Sequence, residues 1–450
     1  MFKLWMSMFV LLAVCVIGLV GCAPEPVTPE TALQRYLANN DDSYAWELRD
    51  SFELEEITGY NLLLTSQQWH GYTWRHQLTL VVPPEVKHDG ALLFITGGSN
   101  TDEQPNWKSK DDDVILMMRQ VALQNQAPVA IIWQVPNQPL FGDLYEDEII
   151  SYTLHQYRQD KDMTWPLLFP MVKSAVRAMD AVQEFSQQEL DFQVERFVVS
   201  GASKRGWTTW LTGSQDPRVA AIGPMVIDVL NMPIQMDYQV DTWGDYSHEI
   251  QDYVRLGIAQ DVRTEDGEEL TTMIDPYSYR DQLSLPKLIF IGTNDDYWPV
   301  DAIKHYFEDI PGDNSIHYVP NAGHGLGDGK QALRALSAFF AETLQDVPHP
   351  KCSWNHTLGN GRVTLTVEAD DDKLVSASVW QAESEDRDFR DAVWTSQDVT
   401  AQTASPLQIE IELPTTGYRA FYVDVMYPNP NGGEYSKSTR MFVVDANGVL

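Results

Sequence analysis

Basic residues are scarce in this chain of 450 residues. Lys and Arg together number 31 against 65 Asp and Glu, so the formal net charge is −34 at pH 7. A surface with this excess of negative charge repels the phosphates of nucleic acids, and we therefore exclude DNA and RNA as partners. The acidity suits a soluble protein in a salty or extracytoplasmic setting, but it identifies no substrate.

Cysteines and long apolar runs are also scarce. The three cysteines, Cys15, Cys22 and Cys352, cannot form a disulfide framework if the first two belong to a targeting segment. The apolar run over residues 11–20 follows a short positive N-terminus and is too short to span a membrane comfortably, which predicts a secretory signal. A packed core must then stabilise the fold without cross-links.

The end of this signal has the pattern of a lipoprotein. The segment "LVGC", which ends at Cys22, resembles a bacterial lipobox, whose cysteine is acylated and becomes the mature N-terminus. Ala23 stands where an aspartate would retain a lipoprotein at the inner membrane. We therefore expect a signal peptide over 1–22, lipidation at Cys22, and a place in the bacterial cell envelope, at the outer membrane facing the periplasm or the cell surface. The alternative is an ordinary signal peptide or an uncleaved anchor with a chance cysteine.

Signatures of metal and cofactor chemistry are missing from the sequence. It has no H-E-x-x-H motif, no P-loop and no lysozyme-like pair of carboxylates. We therefore expect no metal and no cofactor, and we look for catalytic groups among the side chains.

Short apolar segments alternate with helical patterns through most of the chain. Residues 23–45, which include the Pro-rich "APEPVTPETA", predict a spacer between the anchor and a domain. From residue 46 to 347, buried-strand patterns such as "ALLFITGG", "PVAIIWQVP" and "RFVVSGA" are separated by helical periodicity. This alternation predicts an α/β fold with a doubly wound, mostly parallel sheet and helices on both faces.

Two segments depart from this alternation. Residues 228–285 are polar and rich in aromatic residues, which favours a cap over a ligand site, with Trp243 and Tyr246 as substrate-binding residues that line the pocket. Surface decoration is the alternative interpretation of this insertion. Residues 350–450 instead alternate with period two in stretches such as "RVTLTVEA" and "PLQIEIEL", which predicts a small all-β domain of sandwich type.

The stretch "VVSGASKRGW" allows two roles for Ser203. The residue is either a nucleophile on a sharp strand-to-helix turn or the N-cap of a helix after a buried strand. A nucleophilic serine needs a base and an acid that orients the base, in the chain order Ser, acid, His. Asp295 follows the strand "LIFIG", and His324 lies on the glycine-bracketed loop "NAGHGLG". Ser203, Asp295 and His324 are the predicted catalytic residues, and the rival acid Asp296 is expected to face solvent or cap a helix.

Donors for an oxyanion are predicted on two loops. The backbone N–H of Lys204 should supply one donor, and the glycine-rich loop at Gly98 and Ser99 the other, although this loop is also compatible with a plain turn. Arg205 stands where the G-x-S-x-G pattern has its second glycine. It either points outward from the turn or, with Lys204, contributes positive charge that binds an anionic substrate or the oxyanion.

Several of these segments together resemble the PhoPQ-activated pathogenicity-related protein family. The resemblance is carried by "VSGASKRGWTTWLTGSQDPRVAAIGPMVIDVLNM", "YSHEIQDYVRLGI", "LSLPKLIFIGTNDDYWPVDA" and "PNAGHGL". It implies an α/β-hydrolase-like domain related to prolyl-oligopeptidase and esterase folds, and it makes Arg205 a family feature. The family's name describes a regulatory context rather than a reaction, so the resemblance leaves the substrate open.

The sequence is thus compatible with two functions. The first is a lipid-anchored, extracytoplasmic serine hydrolase that cleaves an ester or amide bond of a small-molecule or peptide substrate through an acyl-enzyme. The second is a binding or signalling protein that keeps the hydrolase fold without turnover. Labelling by a fluorophosphonate probe separates the two.

Overall fold

The computed structural model of the chain describes residues 26–370, 372–400 and 406–450. The predicted signal peptide over 1–22 and the predicted lipidation site at Cys22 lie outside the described residues. In the part that is described, no helix is both long enough and apolar enough to cross a membrane.

Among the described residues, eleven strands, nine of which belong to the central sheet, precede the C-terminal part. They are β1 (Ala45–Leu54), β2 (Ile57–Trp69), β3 (Tyr72–Val82), β4 (Gly90–Ile95), β5 (Asn100–Thr101), β6 (Gln104–Pro105), β7 (Val129–Ile132), β8 (Arg196–Ala202), β9 (Val219–Met225), β10 (Lys287–Gly292) and β11 (Asn314–Val319). The strands β5 and β6 form a separate two-stranded ribbon.

The helices occur between these strands and before the C-terminal part. They are α1 (Pro29–Leu37), α2 (Asp113–Asn125), α3 (Glu146–Asp160), α4 (Leu168–Glu189), α5 (Lys204–Gln215), α6 (Met232–Trp243), α7 (Gln251–Arg255), α8 (Glu265–Ile274) and α9 (Lys330–Leu344). Short 3-10 helices cover His248–Ile250, Pro276–Gln282, Ala302–His305 and Phe307–Asp309.

The sheet has the mostly parallel arrangement that the sequence predicts. Its order begins β1-β2-β3-β7-β4-β8-β9-β10-β11. The first three strands are antiparallel, β3 pairs with β7 antiparallel, and the strands from β7 to β11 are parallel. The predicted α/β fold class is therefore confirmed.

Both faces of the sheet are covered, as the continuous apolar strands require. In β8, Phe197 and Val199 belong to one apolar cluster, which includes much of α4 and α5, whereas Val198 belongs to another, which includes much of α2 and α9. Successive side chains of a strand point to opposite faces, so a strand buried on both sides is apolar at every position. This layering leaves the carboxyl ends of the parallel strands free to present the loops that follow them.

The N-terminal segment differs from the expected spacer over 23–45. Residues Pro29–Leu37 form α1, and the Thr28 and Thr31 side chains satisfy each other's backbone at its start. Its buried residues are Ala32, Leu33 and Tyr36, and the Tyr36 hydroxyl donates a hydrogen bond to Gln67 Oε1 at 2.7 Å. The Pro-rich composition of this segment predicts a solvated linker. Its few apolar residues are nevertheless spaced so that a helix can pack them against the rest of the domain.

The insertion between β9 and β10 is helical. It contains α6, α7, α8 and two of the short 3-10 helices, all within residues 228–285. We call this insertion the cap, because its residues form one wall of the cavity described below.

The described residues of the C-terminal part lie mainly in β-strands. Its strands are β12 (Cys352–Gly359), β13 (Arg362–Ala369), β14 (Ser376–Ser384), β15 (Thr395–Asp398), β16 (Leu407–Glu412), β17 (Tyr418–Pro428), β18 (Glu434–Ser438) and β19 (Phe442–Val444). One three-stranded sheet has the order β12-β13-β16, while β18-β17-β14-β15 continues the central sheet beyond β11, with β19 beside β17. The two parts of the chain therefore share a sheet, in which Ile316 pairs with Ser438.

Candidate active site

Ser203 lies on a strained turn between a strand and a helix. Strand β8 ends at Ala202 and helix α5 begins at Lys204. The backbone of Ser203 has φ 58° and ψ −127°, a conformation that non-glycine residues rarely adopt. Its N–H donates a hydrogen bond to the carbonyl of Met225 at the end of β9, at 2.9 Å, which holds the turn in place. The turn lifts the serine side chain above the edge of the sheet.

Two glycines make this turn possible. A Cβ on Gly201 would lie 2.9 Å from the Cβ of Arg205, and a Cβ on Gly206 would lie 2.7 Å from the carbonyl oxygen of Met225. Both positions therefore exclude a larger residue. Arg205 fits at the turn because its Cβ lies close to the space that a side chain on Gly201 would need.

Asp295 and His324 meet at the ends of β10 and β11. The Nδ1 atom of His324 lies 3.1 Å and 2.9 Å from the two carboxylate oxygens of Asp295. The side chain of Asp295 is 5% exposed, and its Oδ1 also accepts a hydrogen bond from the N–H of Tyr297 at 2.9 Å. The ring of Tyr297 stacks on His324 with centroids 4.1 Å apart, which further restricts the imidazole. Asp296 is half-buried, and its carbonyl accepts a hydrogen bond from Ser247.

Ser203 and His324 border the same cavity. The empty space of this cavity, with open solvent included, is about 590 Å³, and its lining is mostly apolar. The Nε2 atom of His324 is buried and has no hydrogen-bond partner among the described residues. Catalytic hydrogen bonds often tighten only when substrate is bound, so an unpaired Nε2 at the cavity that Ser203 also borders is compatible with a general base.

Both basic residues after Ser203 are held by acidic residues at the start of α3. Arg205 forms a bidentate pair with Glu146, with N–O distances of 2.8 Å and 2.7 Å. The Lys204 Nζ lies 2.9 Å from both Glu146 and Asp147. Burial alone would raise the pKa of Glu146, but the two cations lower it to about 2. Arg205 is not among the cavity-lining residues, so the structure places it beside the turn rather than in the pocket.

The aromatic lining of the cavity differs from the one expected. Neither Trp243 nor Tyr246 lines it. Trp243 instead packs under the guanidinium of Arg390, 4.3 Å from its ring centroid, and Tyr246 is half-buried against the main apolar cluster. The aromatic rings that do line the cavity are those of Trp207, Tyr253, Tyr297 and Trp298. Of these four residues, Tyr253 belongs to the cap. No pattern in the sequence distinguishes Tyr253 from the other aromatic residues of the cap.

The predicted oxyanion loop follows β4, the strand beside β8. Ile95 and Gly201 are register partners in these two strands, so the loop begins next to the turn at Ser203. The Gly98 carbonyl accepts a hydrogen bond from Gln138 Nε2 at 2.9 Å, and the Ser99 hydroxyl accepts one from Asn106 at 2.8 Å. These bonds fix the loop, although Gly98 and Ser99 are not among the cavity-lining residues.

The loops that carry Asp295 and His324 are tied to the C-terminal part. The side-chain amide of Asn294 donates to the carbonyls of Arg390 and Ala392 at 3.0 Å and 2.7 Å. Asn321 Nδ2 donates to the carbonyl of Trp394 at 3.0 Å, while Asn321 Oδ1 accepts from the Trp394 N–H at 2.8 Å. The segment between β14 and β15 therefore holds both loops.

One cluster of possible metal ligands lies near Asp295. Among the residues that the structure describes, His248, Glu249 and Asp296 offer ligand atoms within 4.8 Å of one another. His248 is exposed, and its Nε2 lies 2.8 Å from Glu249. The sequence motifs predict no metal ligand among these residues.

Comparison with known proteins identifies relatives over most of the chain. A family model described as "PhoPQ-activated pathogenicity-related protein" matches residues 33–390. Autocrine proliferation repressor protein A of Dictyostelium discoideum is 31% identical over 433 residues, which cover 88% of this chain and 86% of that protein.

Among solved structures, acetyl xylan esterase 1 from Thermoanaerobacterium sp. gives a TM-score of 0.50 at 20% identity, over 71% of this chain and 94% of the esterase. An acetyl xylan esterase from Paenibacillus sp. R4 gives 0.48 at 14% identity, over 70% and 93%. The first of these likenesses shows the α/β-hydrolase fold.

Proposed function

The chain belongs to the PhoPQ-activated pathogenicity-related protein family, as its motifs indicate, and we propose that it is a serine hydrolase that cleaves an ester or amide bond through an acyl-enzyme. The observation that carries the proposal is the pairing of His324 with Asp295 at the cavity that also contains Ser203. Acyl transfer by a serine needs these groups: an activated hydroxyl, an imidazole, and an acid that orients the imidazole.

In the proposed reaction, Ser203 Oγ attacks the carbonyl carbon while His324 Nε2 takes the hydroxyl proton. Asp295 accepts a hydrogen bond from the Nδ1–H of the ring, which leaves Nε2 as the base, and the carboxylate charge stabilises the imidazolium that forms. Nε2 then donates its proton to the leaving group, while the bond between the leaving group and the carbonyl carbon breaks. Water then attacks the acyl carbon while the same nitrogen takes its proton, and Nε2 returns that proton to Ser203 Oγ as the bond between the acyl carbon and Oγ breaks and the acid is released.

The oxyanion of this reaction needs preorganised donors. The N–H of Lys204 is the first candidate, because it opens α5, where helical N–H groups have no intrahelical acceptor. The loop at Gly98 and Ser99 is the second candidate, because it begins beside β8. The ion pairs of Lys204 and Arg205 support the turn that positions the first donor.

The test is active-site labelling with a fluorophosphonate probe. Wild-type protein should be labelled, and Ser203→Ala should abolish labelling while the thermal transition stays nearly unchanged. Ser214→Ala, at the other end of α5, is the matched control and should be labelled like wild type. Equal labelling of Ser203→Ala and wild type would contradict the role of Ser203.

A non-catalytic binding or signalling protein is the second candidate function. The name of the Dictyostelium discoideum relative describes repression of proliferation, which is a biological effect rather than a reaction. Absence of labelling in folded wild-type protein at neutral and mildly alkaline pH would favour this function over hydrolysis.

The envelope location is a further part of the proposal. It rests on the lipobox-like segment at Cys22 and the apolar run before it. Expression in a bacterium with a radiolabelled fatty acid should label the wild-type chain and leave Cys22→Ser unlabelled. A label that persists in Cys22→Ser would contradict lipidation at this residue.

A further inference from the structure

We propose that the cavity above Ser203 holds the apolar acyl chain of the substrate, so that esters of medium-length aliphatic acids are preferred over acetate. This inference rests on the proposed serine hydrolase function and adds a substrate class to it. Three features carry it: the residues of the cap wall, the opposite wall, and the pairing of the charges at the cavity.

The cap wall of the cavity is apolar. Met232 and Met236 project from one face of α6, and Ile258, Ala259 and Val262 come from the connection between α7 and α8. None of these five side chains is more than 7% exposed. Two flexible methionine side chains one helical turn apart can adapt to aliphatic chains of different length and shape.

The wall opposite the cap is apolar as well. It includes Ile227 and the ring of Trp207, whose Nε1 donates a hydrogen bond to the carbonyl of Ile274 at 2.6 Å. The polar atom of this tryptophan is thus already satisfied by the cap, and the ring remains as an apolar surface. A ligand group between the two walls gains binding free energy mainly by burying hydrocarbon.

The charged groups at the cavity are paired with one another. Lys204 Nζ lies 2.9 Å from Asp147, and Asp147 accepts a hydrogen bond from the hydroxyl of Tyr253 at 2.9 Å. Recruiting either charge to an anionic or strongly polar acyl group would break this network, at the cost of leaving a buried charge without its partner. An aliphatic chain can bind without breaking these charge pairs.

The acyl half of the ester fits this cavity better than the leaving group does. The acyl group stays bonded to Ser203 Oγ through the intermediate, so its chain occupies the space next to the serine until deacylation. The leaving group must depart before water enters. A leaving group that lay beneath the cap would be slower to depart.

The experiment is a series of p-nitrophenyl esters from acetate to octanoate with the full chain, corrected for the spontaneous hydrolysis of each ester. We expect kcat/KM to rise at least tenfold from acetate to hexanoate, since each fully buried methylene is worth about fourfold, or ~0.8 kcal/mol. A flat or falling series, with fluorophosphonate labelling of Ser203 intact, would overturn this inference and leave the proposed function standing. Loss of labelling would instead overturn the proposed function and the inference with it.

A variant that fills the cavity tests the location of the chain. Ala259→Phe should lower the ratio of hexanoate to acetate activity at least tenfold, while Ile234→Phe, on the exposed part of α6, should leave the ratio unchanged. If Ala259→Phe does not fold, as judged by its thermal transition, the smaller Ala259→Val should change the ratio in the same direction. An unchanged ratio in a folded, labelled variant would overturn the inference.

Discussion

Asp295 and Asp296 are adjacent carboxylates with different surroundings. Both oxygens of Asp295 lie within hydrogen-bond distance of His324 Nδ1, whereas the backbone carbonyl of Asp296 bonds to Ser247 in the cap. The sequence pattern predicts Asp295 as the acid, and the contact of Asp295 with His324 supports this prediction. The pair provides a matched comparison in which the same chemical change is made at neighbouring positions.

We predict that Asp295→Asn lowers kcat roughly 10³- to 10⁴-fold, because the amide favours the wrong tautomer of His324 and cannot stabilise the imidazolium. Asp296→Asn removes the same charge one residue away and should leave kcat within a few-fold of wild type. The measurement is steady-state hydrolysis of the best ester of the p-nitrophenyl series. Similar losses in both variants would contradict the assignment of the acid to Asp295.

Asp228 shows what burial does to a carboxylate near this site. It is 2% exposed, and its Oδ1 has no hydrogen-bond partner among the described residues. Burial raises its pKa to about 7; Tyr306 opposes this shift, and the charges of Asp295 and Asp301 add to it. The folded protein therefore keeps a proton on Asp228 at pH values where the unfolded chain has released it.

We predict that Asp228 makes folding less favourable as pH rises from about 4 to 7, since the native state binds more protons than the unfolded state in that window. Asp228→Asn removes this contribution, so its unfolding free energy relative to wild type should rise with pH and level off above 7. Urea unfolding of both proteins at several pH values measures the difference. Burial also raises the pKa values of Asp275 and Asp424 to about 7. Both residues are present in both proteins, so their contributions to the pH dependence cancel in the difference. Parallel profiles would contradict the prediction.

At the scale of elements, the first turn of α3 supports the turn between β8 and α5. Glu146 binds Arg205 through both oxygens and Lys204 through one, and Asp147 links Lys204 to Tyr253 in the cap. A helix, the serine turn and the cap are therefore connected through one network of charges. The cations are the more buried partners, with side chains 7% and 12% exposed against 38% for Glu146.

We predict that Glu146→Gln lowers the unfolding free energy by roughly 1–3 kcal/mol at neutral pH, less than for a fully buried pair because Glu146 is partly exposed. The low pKa of Glu146 means that its contribution is present above pH 5 and is lost as pH falls toward 2. Chemical denaturation at pH 7 and pH 3 measures the effect, which should be smaller at pH 3. Glu148→Gln, an exposed change in the same turn, is the control and should have little effect at either pH.

At the scale of the whole molecule, the C-terminal strands are part of the site's support. The segment between β14 and β15 accepts hydrogen bonds from Asn294, next to Asp295, and exchanges two with Asn321, on the loop of His324. The same segment places Arg390 against Trp243 of the cap. A substitution of Trp243 is therefore expected to affect this contact rather than substrate binding.

We predict that Asn321→Ala lowers kcat about tenfold or more with a smaller change in KM, because the loop that carries His324 loses both bonds to Trp394. The unpaired groups of Trp394 should also cost about 1–3 kcal/mol of stability. Ester kinetics and thermal unfolding measure the two effects. Asn355→Ala, at an exposed position in β12, is the control. An unchanged kcat in Asn321→Ala would show that the bonds hold the C-terminal part without positioning the histidine.

Much of the fold could be read from local patterns. Apolar runs next to glycine, such as "RFVVSGA" and "KLIFIG", coincide with β8 and β10, because strand burial and turn geometry depend on neighbouring residues. The sequence did not predict α1, because the Pro-rich composition of its segment favours a linker. Its three buried apolar residues stabilise a helix only through packing against other elements, which the local sequence does not show. The order of Ser203, Asp295 and His324 was readable because each follows a recognisable strand.

The contacts that complete the site depend on distant segments. Arg205 and Glu146 are 59 residues apart, and Asn321 and Trp394 are 73 apart, so no sequence period relates them. For the same reason the sequence did not distinguish Tyr253 from Trp243 and Tyr246 as the aromatic residue of the cap that reaches the cavity. Local spacing determines which elements form and where chemistry-bearing residues stand on them. The packing of those elements determines which side chains meet, because an ion pair, a shared sheet or a cavity wall exists only once the chain has brought its partners together.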